Sequence, residues 1–187
     1  MSEQERPGRY PRTTNGLIGA ILITVVAVVG AVAFLSLFRD EPDVEVEPVD
    51  YLEVVGLAQD ADLRPVYPAE LPSGWVATKA EVLPDDEPDF DLGLLTDDED
   101  FVGVVWTDED LDDLLAERVD DEDVETTERF SVSGSVAKEW QGYADPGGDL
   151  AYAAEVTGGR VVLVYGSASE DDMAQIVGSL TTAPLAR

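Results

Sequence analysis

From Gly16 to Phe38 the chain reads GLIGAILITVVAVVGAVAFLSLF, 23 residues without a charged side chain. Wound as a helix at ~1.5 Å per residue, the run reaches ~35 Å, enough to cross the ~30 Å hydrocarbon core of a bilayer. A helix buried in a soluble core is rarely apolar all round for this length, so the expectation is a single transmembrane helix. Its orientation is set by the flanks. Arg6, Arg9 and Arg12 precede it, whereas one Arg39 and then Asp40, Glu41, Asp43, Glu45 and Glu47 come after it. Basic residues stay on the cytoplasmic side, which places residues 1–15 in the cytoplasm and everything after residue 38 outside, in a single-pass protein of the plasma membrane. Ala31-Val32-Ala33 has the form of a signal-peptidase site, but it lies inside the apolar run, with Phe34, Leu35, Leu37 and Phe38 still to come. An uncleaved anchor is the better reading. Gly16/Ala20 and Ala27/Ala31 make two small-xxx-small pairs of the kind that lets membrane helices approach, though such pairs are common in any Gly/Ala-rich span.

Beyond the anchor the chain is acidic. It has 41 acids against 11 bases and a formal charge of −30, and all of the acids but Glu3 and Glu5 lie after the apolar run. That balance argues against nucleic acid and against adhesion to anionic lipid. There is no Cys, which excludes disulfides, thiolate metal sites, thiol nucleophiles and a lipidated N-terminal cysteine. There is also no His, so the commonest general base and zinc ligand is missing, and Ser-His-Asp catalysis is excluded.

Residues 39–50, RDEPDVEVEPVD, carry two prolines and six acids and read as a stiff, self-repelling linker. The remaining 51–187 read as one extracytoplasmic α+β domain. Asp50 caps a short helix in which Leu52, Val55 and Ala58 share a face. A strand begins after Trp75, with Val76, Ala80 and Val82 on one side and Lys79 and Glu81 on the other. FDLGLLT (90–96) and FVGVVWT (101–107), joined by DDED, read as a hairpin. Thr107, three residues before Asp110, predicts a capping box for a helix carrying Leu111, Leu114, Leu115 and Val119. After an acidic loop, DDEDVETTE (120–128), three or four strands are separated by turns at Asp145–Asp149 and Gly158-Gly159. Neither glycine pair is succeeded by the Lys-Ser/Thr of a phosphate loop. Ser169 and Asp172 cap a last helix whose Met173, Ile176, Val177 and Leu180 form the buried stripe. Six or seven mostly consecutive strands imply an antiparallel sheet packed with two or three helices.

This order of features resembles a family of actinobacterial, membrane-anchored proteins catalogued as domain of unknown function 4245. The residues that carry the likeness are LPSGW (71–75), FDLGLLT before FVGVVWT, VAKEWQGY around Trp140, and the closing VVLVYGSASEDDMAQIVGSL. More distantly, LPSGW entering a first strand and a last strand running through Gly-x-Ala-Ser into a final helix are similar to PsbP-like domains. That likeness implies an antiparallel sheet between helices and a binding or assembly role, and it carries no catalytic residues.

Three constellations are left as candidate sites. Asp85 and Asp86, with Asp97, Asp98 and Asp100, would form a weak Ca²⁺ site if the 85–89 loop and the 97–100 turn lie at adjacent strand ends, although neither has the glycine of an EF-hand loop. Trp75, Trp106 and Trp140 would line a groove for an apolar envelope ligand, against the simpler reading that strand tryptophans are packing. Lys79 and Lys138, the only lysines, sit outward on strand patterns rather than in a Ser-Lys dyad. With so many acids, a pair at a glycosidase separation arises by accident, so no catalytic residue is assigned. The functional expectation is a non-catalytic binding or assembly module, anchored through residues 16–38 and facing an envelope protein. The alternatives are a carrier of an apolar ligand held between sheet and helices, or a domain that responds weakly to divalent cations.

Overall fold

Residues 47–83, 88–120 and 124–185 are described in the computed structural model of the chain. The expected tail, membrane helix and most of the linker, through residue 46, lie outside them, as do residues 84–87, 121–123 and 186–187. Among the described residues no helix is long and apolar enough to cross a membrane.

Among the described residues three helices, α1 (Tyr51–Asp60), α2 (Leu111–Arg118) and α3 (Glu170–Ser179), accompany nine strands. The strands are β1 (Tyr67–Pro68), β2 (Val76–Leu83), β3 (Asp89–Leu95), β4 (Phe101–Thr107), β5 (Glu125–Ser131), β6 (Glu139–Ala144), β7 (Leu150–Glu155), β8 (Val161–Gly166) and β9 (Leu180–Thr181). Seven of them form one antiparallel sheet in the order β2-β3-β4-β8-β7-β6-β5, and β1 pairs with β9 in a separate ribbon. The order joins two meanders, β2-β3-β4 and β5 to β8, where β8 lies beside β4. The chain must therefore cross from β4 to the far edge at β5, four strand spacings of ~4.8 Å or ~19 Å. Helix α2 lies on that connection.

Alternation along the central strands divides the core in two. Val104, Trp106, Tyr152, Ala154, Val162 and Val164 point to one face, where they meet Tyr51 and Val55 of α1 and Met173, Ile176 and Val177 of α3. Val105, Ala151, Ala153 and Leu163 point to the other, where they meet Leu114 and Leu115 of α2. The sheet thus lies between helices.

Local chemistry explains most element boundaries. The Asp50 carboxylate accepts from the Leu52 and Glu53 amides and starts α1, and the Ser169 hydroxyl accepts from the Asp172 amide and starts α3. The β3–β4 turn is closed by the Thr96 hydroxyl, which accepts from the amides of Asp98 and Asp100, while Glu99 sits at φ 67. Gly166 ends β8 at φ 147, and a Cβ there would lie 2.1 Å from the Phe101 carbonyl oxygen, so only glycine fits.

Several expectations need correction. Strand β2 carries a bulge between Ala77 and Lys79, which shifts its alternation by one: Trp75 and Ala77 are the buried residues at its start, not Val76, and after the bulge Ala80 and Val82 pack on the core. In α1 the buried stripe is Tyr51, Val55 and Ala58, with Leu52 at its margin. Thr107 is not a helix cap. It is the last residue of β4, paired with Val161, so the helix starts later with Asp110 as its cap, accepting from the Asp112 amide at 3.0 Å. Strand β5 begins inside the stretch expected to be an acidic loop, because an edge strand exposed along nearly its whole length, with only Phe130 half-buried, has no apolar alternation to reveal it.

Candidate functional site

The second face of the sheet holds a charged cluster in its interior. Asp91, in mid-β3, is 3% exposed. Burying a lone carboxylate is costly, and here it is paired twice: Oδ2 accepts from Lys79 Nζ at 2.9 Å and from Arg118 Nη1 at 3.1 Å. Lys79, half exposed on β2, also reaches Glu81 at 2.6 Å. The hydrogen bond to Glu81 and the charge of Asp91 together hold the Lys79 ammonium above its ordinary pKa, against a smaller opposing effect of burial. Arg118, on the last turn of α2, lies beside the Tyr165 hydroxyl; burial works against its charge, but Asp91, Tyr165 and Glu117 more than offset that. Burial keeps the Tyr165 hydroxyl protonated to higher pH than usual, although Arg118 pulls the other way. Gly103 makes the arrangement fit, since a Cβ there would lie 2.4 Å from the Tyr165 ring.

Beside this cluster, at the start of α2, a surface groove of about 750 Å³ opens. Asp108, Glu109, Asp110, Glu139 and Glu155 line it with Arg129 and Gln141, over a floor that includes Ala153. Arg129 Nε donates to Gln141 Oε1 at 2.6 Å, and Gln141 Nε2 donates to the Thr127 carbonyl at 2.7 Å, which fixes the guanidinium at the rim. Partial burial, then the charges of Glu117 and Asp89, push the Glu109 carboxyl above its ordinary pKa. Among the described residues that line it, none carries a hydroxyl, thiol, imidazole or amine. Such a wall suits recognition of cationic groups.

The three tryptophans share the first face but do not converge. Trp75 precedes β2 at the end of the sheet where Val76 pairs with Leu95, whereas Trp106 pairs with Phe90 at the opposite end of β3. Trp140, on β6, is three strands from β4 and fully buried, its Nε1 donating to the Ala137 carbonyl. Trp106 supports the Arg160 guanidinium 3.8 Å above its ring, while Arg160 Nη2 donates to Pro88 O at 2.9 Å and to Asp89 Oδ1 at 2.7 Å. Of the acids, Asp97, Asp98 and Asp100 lie on the β3–β4 turn, and Asp85 and Asp86 lie outside the described residues. Asp89 opens β3 and Asp97 lies just past its far end, so the flanks of the two segments are separated by the strand's length, ~20 Å, rather than set at adjacent ends. Among the described residues no group of three or more carboxylates is placed to hold a metal ion. Lys138 is exposed just before β6.

Asp91, Arg118 and Tyr165 were not candidates on sequence grounds. The available signal was one acid inside the apolar run FDLGLL, a strand otherwise buried on both faces. Neither a curated protein nor a solved structure matches the chain. One family does, over residues 9–180, and the chain belongs to it: the family described as protein of unknown function (DUF4245).

Proposed function

We propose that this chain is a single-pass membrane protein whose C-terminal domain faces away from the cytoplasm and binds an envelope partner without transforming it. The apolar run 16–38 with its arginine-bearing N-terminal flank supports the anchor and its direction. The observation that carries the binding role is the groove beside α2, edged by five carboxylates against one guanidinium. The partner it suits is a protein segment with exposed Lys and Arg side chains, drawn in by charge complementarity. A carrier of an apolar ligand would need room between the sheet and α1 or α3, and there Trp140, Phe90, Met173 and Ile176 are fully buried among their neighbours. That filling favours the surface over the interior. The sheet-between-helices arrangement is also what a PsbP-like binding module would use.

Two measurements test this. Because the chain lacks cysteine, Gln4→Cys and Ser133→Cys report topology directly: a membrane-impermeant maleimide on intact cells labels position 133 and not position 4. For binding, the full chain in nanodiscs of zwitterionic lipid is titrated with a fluorescent Lys/Arg-rich peptide. E139Q/E155Q weakens binding ~10-fold, as loss of two exposed ion pairs of about 0.7 kcal/mol each requires, while E47Q/E53Q, away from the groove, leaves it unchanged. Equal weakening by both pairs would reduce the effect to net charge and remove the groove from the reading.

A further inference from the structure

Helix α2 is a short element spanning a long connection. It buries two side chains, Leu114 and Leu115, on a bed made of Val105, Leu163 and the small Ala151 and Ala153. From Asp108 to Asp120 the chain carries seven carboxylates and a single cation, Arg118. Those carboxylates repel one another: after partial burial, the charges of Glu117 and Asp108 raise the proton affinity of Glu109, against the pull of Arg118. Against this repulsion stands a polar attachment to the sheet, Arg118 to the buried Asp91. The guanidinium also lies against the Tyr165 hydroxyl, and its Nε, which has no hydrogen-bond acceptor, has Glu117 Oε1 within ion-pair distance at 3.3 Å.

We infer that α2 is a salt-set strap: the Arg118–Asp91 pair fastens it across the second face of the sheet, and ionic strength decides how firmly it seats. The two opposing forces respond differently to salt. Repulsion among exposed carboxylates acts over a Debye length of ~30 Å at 0.01 M and ~8 Å at 0.15 M, so added salt removes most of it. The pair on Asp91 is shielded from solvent and is screened much less. Raising the salt therefore seats the strap, and lowering it frees α2 while β4 and β5 still hold the segment's ends. Release uncovers the apolar strip Val105, Ala151, Ala153 and Leu163. It also moves a wall of the groove, since Asp110, which caps α2, and Leu111, its first residue, line the groove.

Hydrogen exchange on the full chain in zwitterionic nanodiscs tests this between ~0.01 M and ~0.5 M NaCl. The amides of Leu114–Val119 should gain ~10-fold or more in protection as salt rises, while those of β3 and β4 stay constant. R118Q should hold α2 at its low-salt exchange rate throughout. D108N/E109Q, which relieves repulsion without touching the pair, should bring low-salt protection towards the high-salt level and decides the matter if R118Q fails to fold. Protection of α2 that matches β4 at every salt concentration, or that D108N/E109Q leaves unchanged at low salt, would make α2 an ordinary part of the core and overturn the inference.

Discussion

The two faces of the sheet are built on different principles. On the first, α1 and α3 close a continuous apolar layer in which Trp140, Phe90, Leu92, Met173 and Ile176 have no accessible surface. On the second, one short helix rests on alanines, and the burial it lacks is made up by a charged cluster around Asp91. Apolar contact is non-directional and grows with area, whereas a buried ion pair does little for net stability and much for position. The first face therefore holds the fold together. The second holds one element in place, beside the groove where a partner is proposed to bind.

The comparison breaks most readily at Trp140. Trp140→Ala removes a fully buried indole from the first face and should cost about 3–5 kcal/mol in urea denaturation, enough to unfold a domain of ordinary stability. Leu114→Ala on the second face should cost about 2 kcal/mol, because α2 can shift over its shallow bed and collapse part of the cavity. Equal losses at the two positions would mean that the faces form one core with no division of labour.

Asp91→Ala probes the second face at its charge. Removing one member of a buried pair typically costs about 3–5 kcal/mol, but Lys79 is half exposed and can turn to water, so about 2 kcal/mol is expected here. The signature is local: α2 and the Tyr165 ring should lose order, by exchange and near-ultraviolet circular dichroism, while β2-β3-β4 pairing survives. A variant that melts as a unit, with every strand exchanging alike, would show the cluster to be structural throughout.

Legibility in the sequence divides along the same line. The α3 cap and its stripe, Ser169 with Met173, Ile176, Val177 and Leu180, are legible because every interaction that defines them lies within one short window. So is the hairpin of β3 and β4, whose turn is closed by Thr96. The bulge in β2 was not, since its evidence is the register against β3. Strand β5 hid behind its exposed, polar residues, and the β1–β9 ribbon joins segments more than a hundred residues apart. Asp91 is the clearest case. Its partners come from 12 residues before it and 27 after, so no local pattern contains them, and its burial exists only once α2 has crossed the sheet.

The smallest effect is a pH dependence carried by Glu109 and Asp149. Burial, and after it the charges of Glu117 and Asp89, raises its pKa in the folded chain. Burial and then Asp145 do the same for Asp149, in the β6–β7 turn. A carboxyl raised on folding binds its proton more tightly in the folded state. Its stabilising contribution is fully present below the unfolded value and is lost as pH rises through the folded one. Acidification from neutral pH towards the ordinary carboxylate range should therefore raise the melting midpoint slightly, where carboxylates in favourable pairs would lower it. Glu109→Gln should flatten the part that comes from the second face and leave the part from Asp149. Asp149→Asn should do the reverse, without altering exchange in α2. A midpoint that falls steadily from neutral pH in all three proteins would mean that repulsion around α2 is already relieved by solvent, and the two faces would then differ in packing alone.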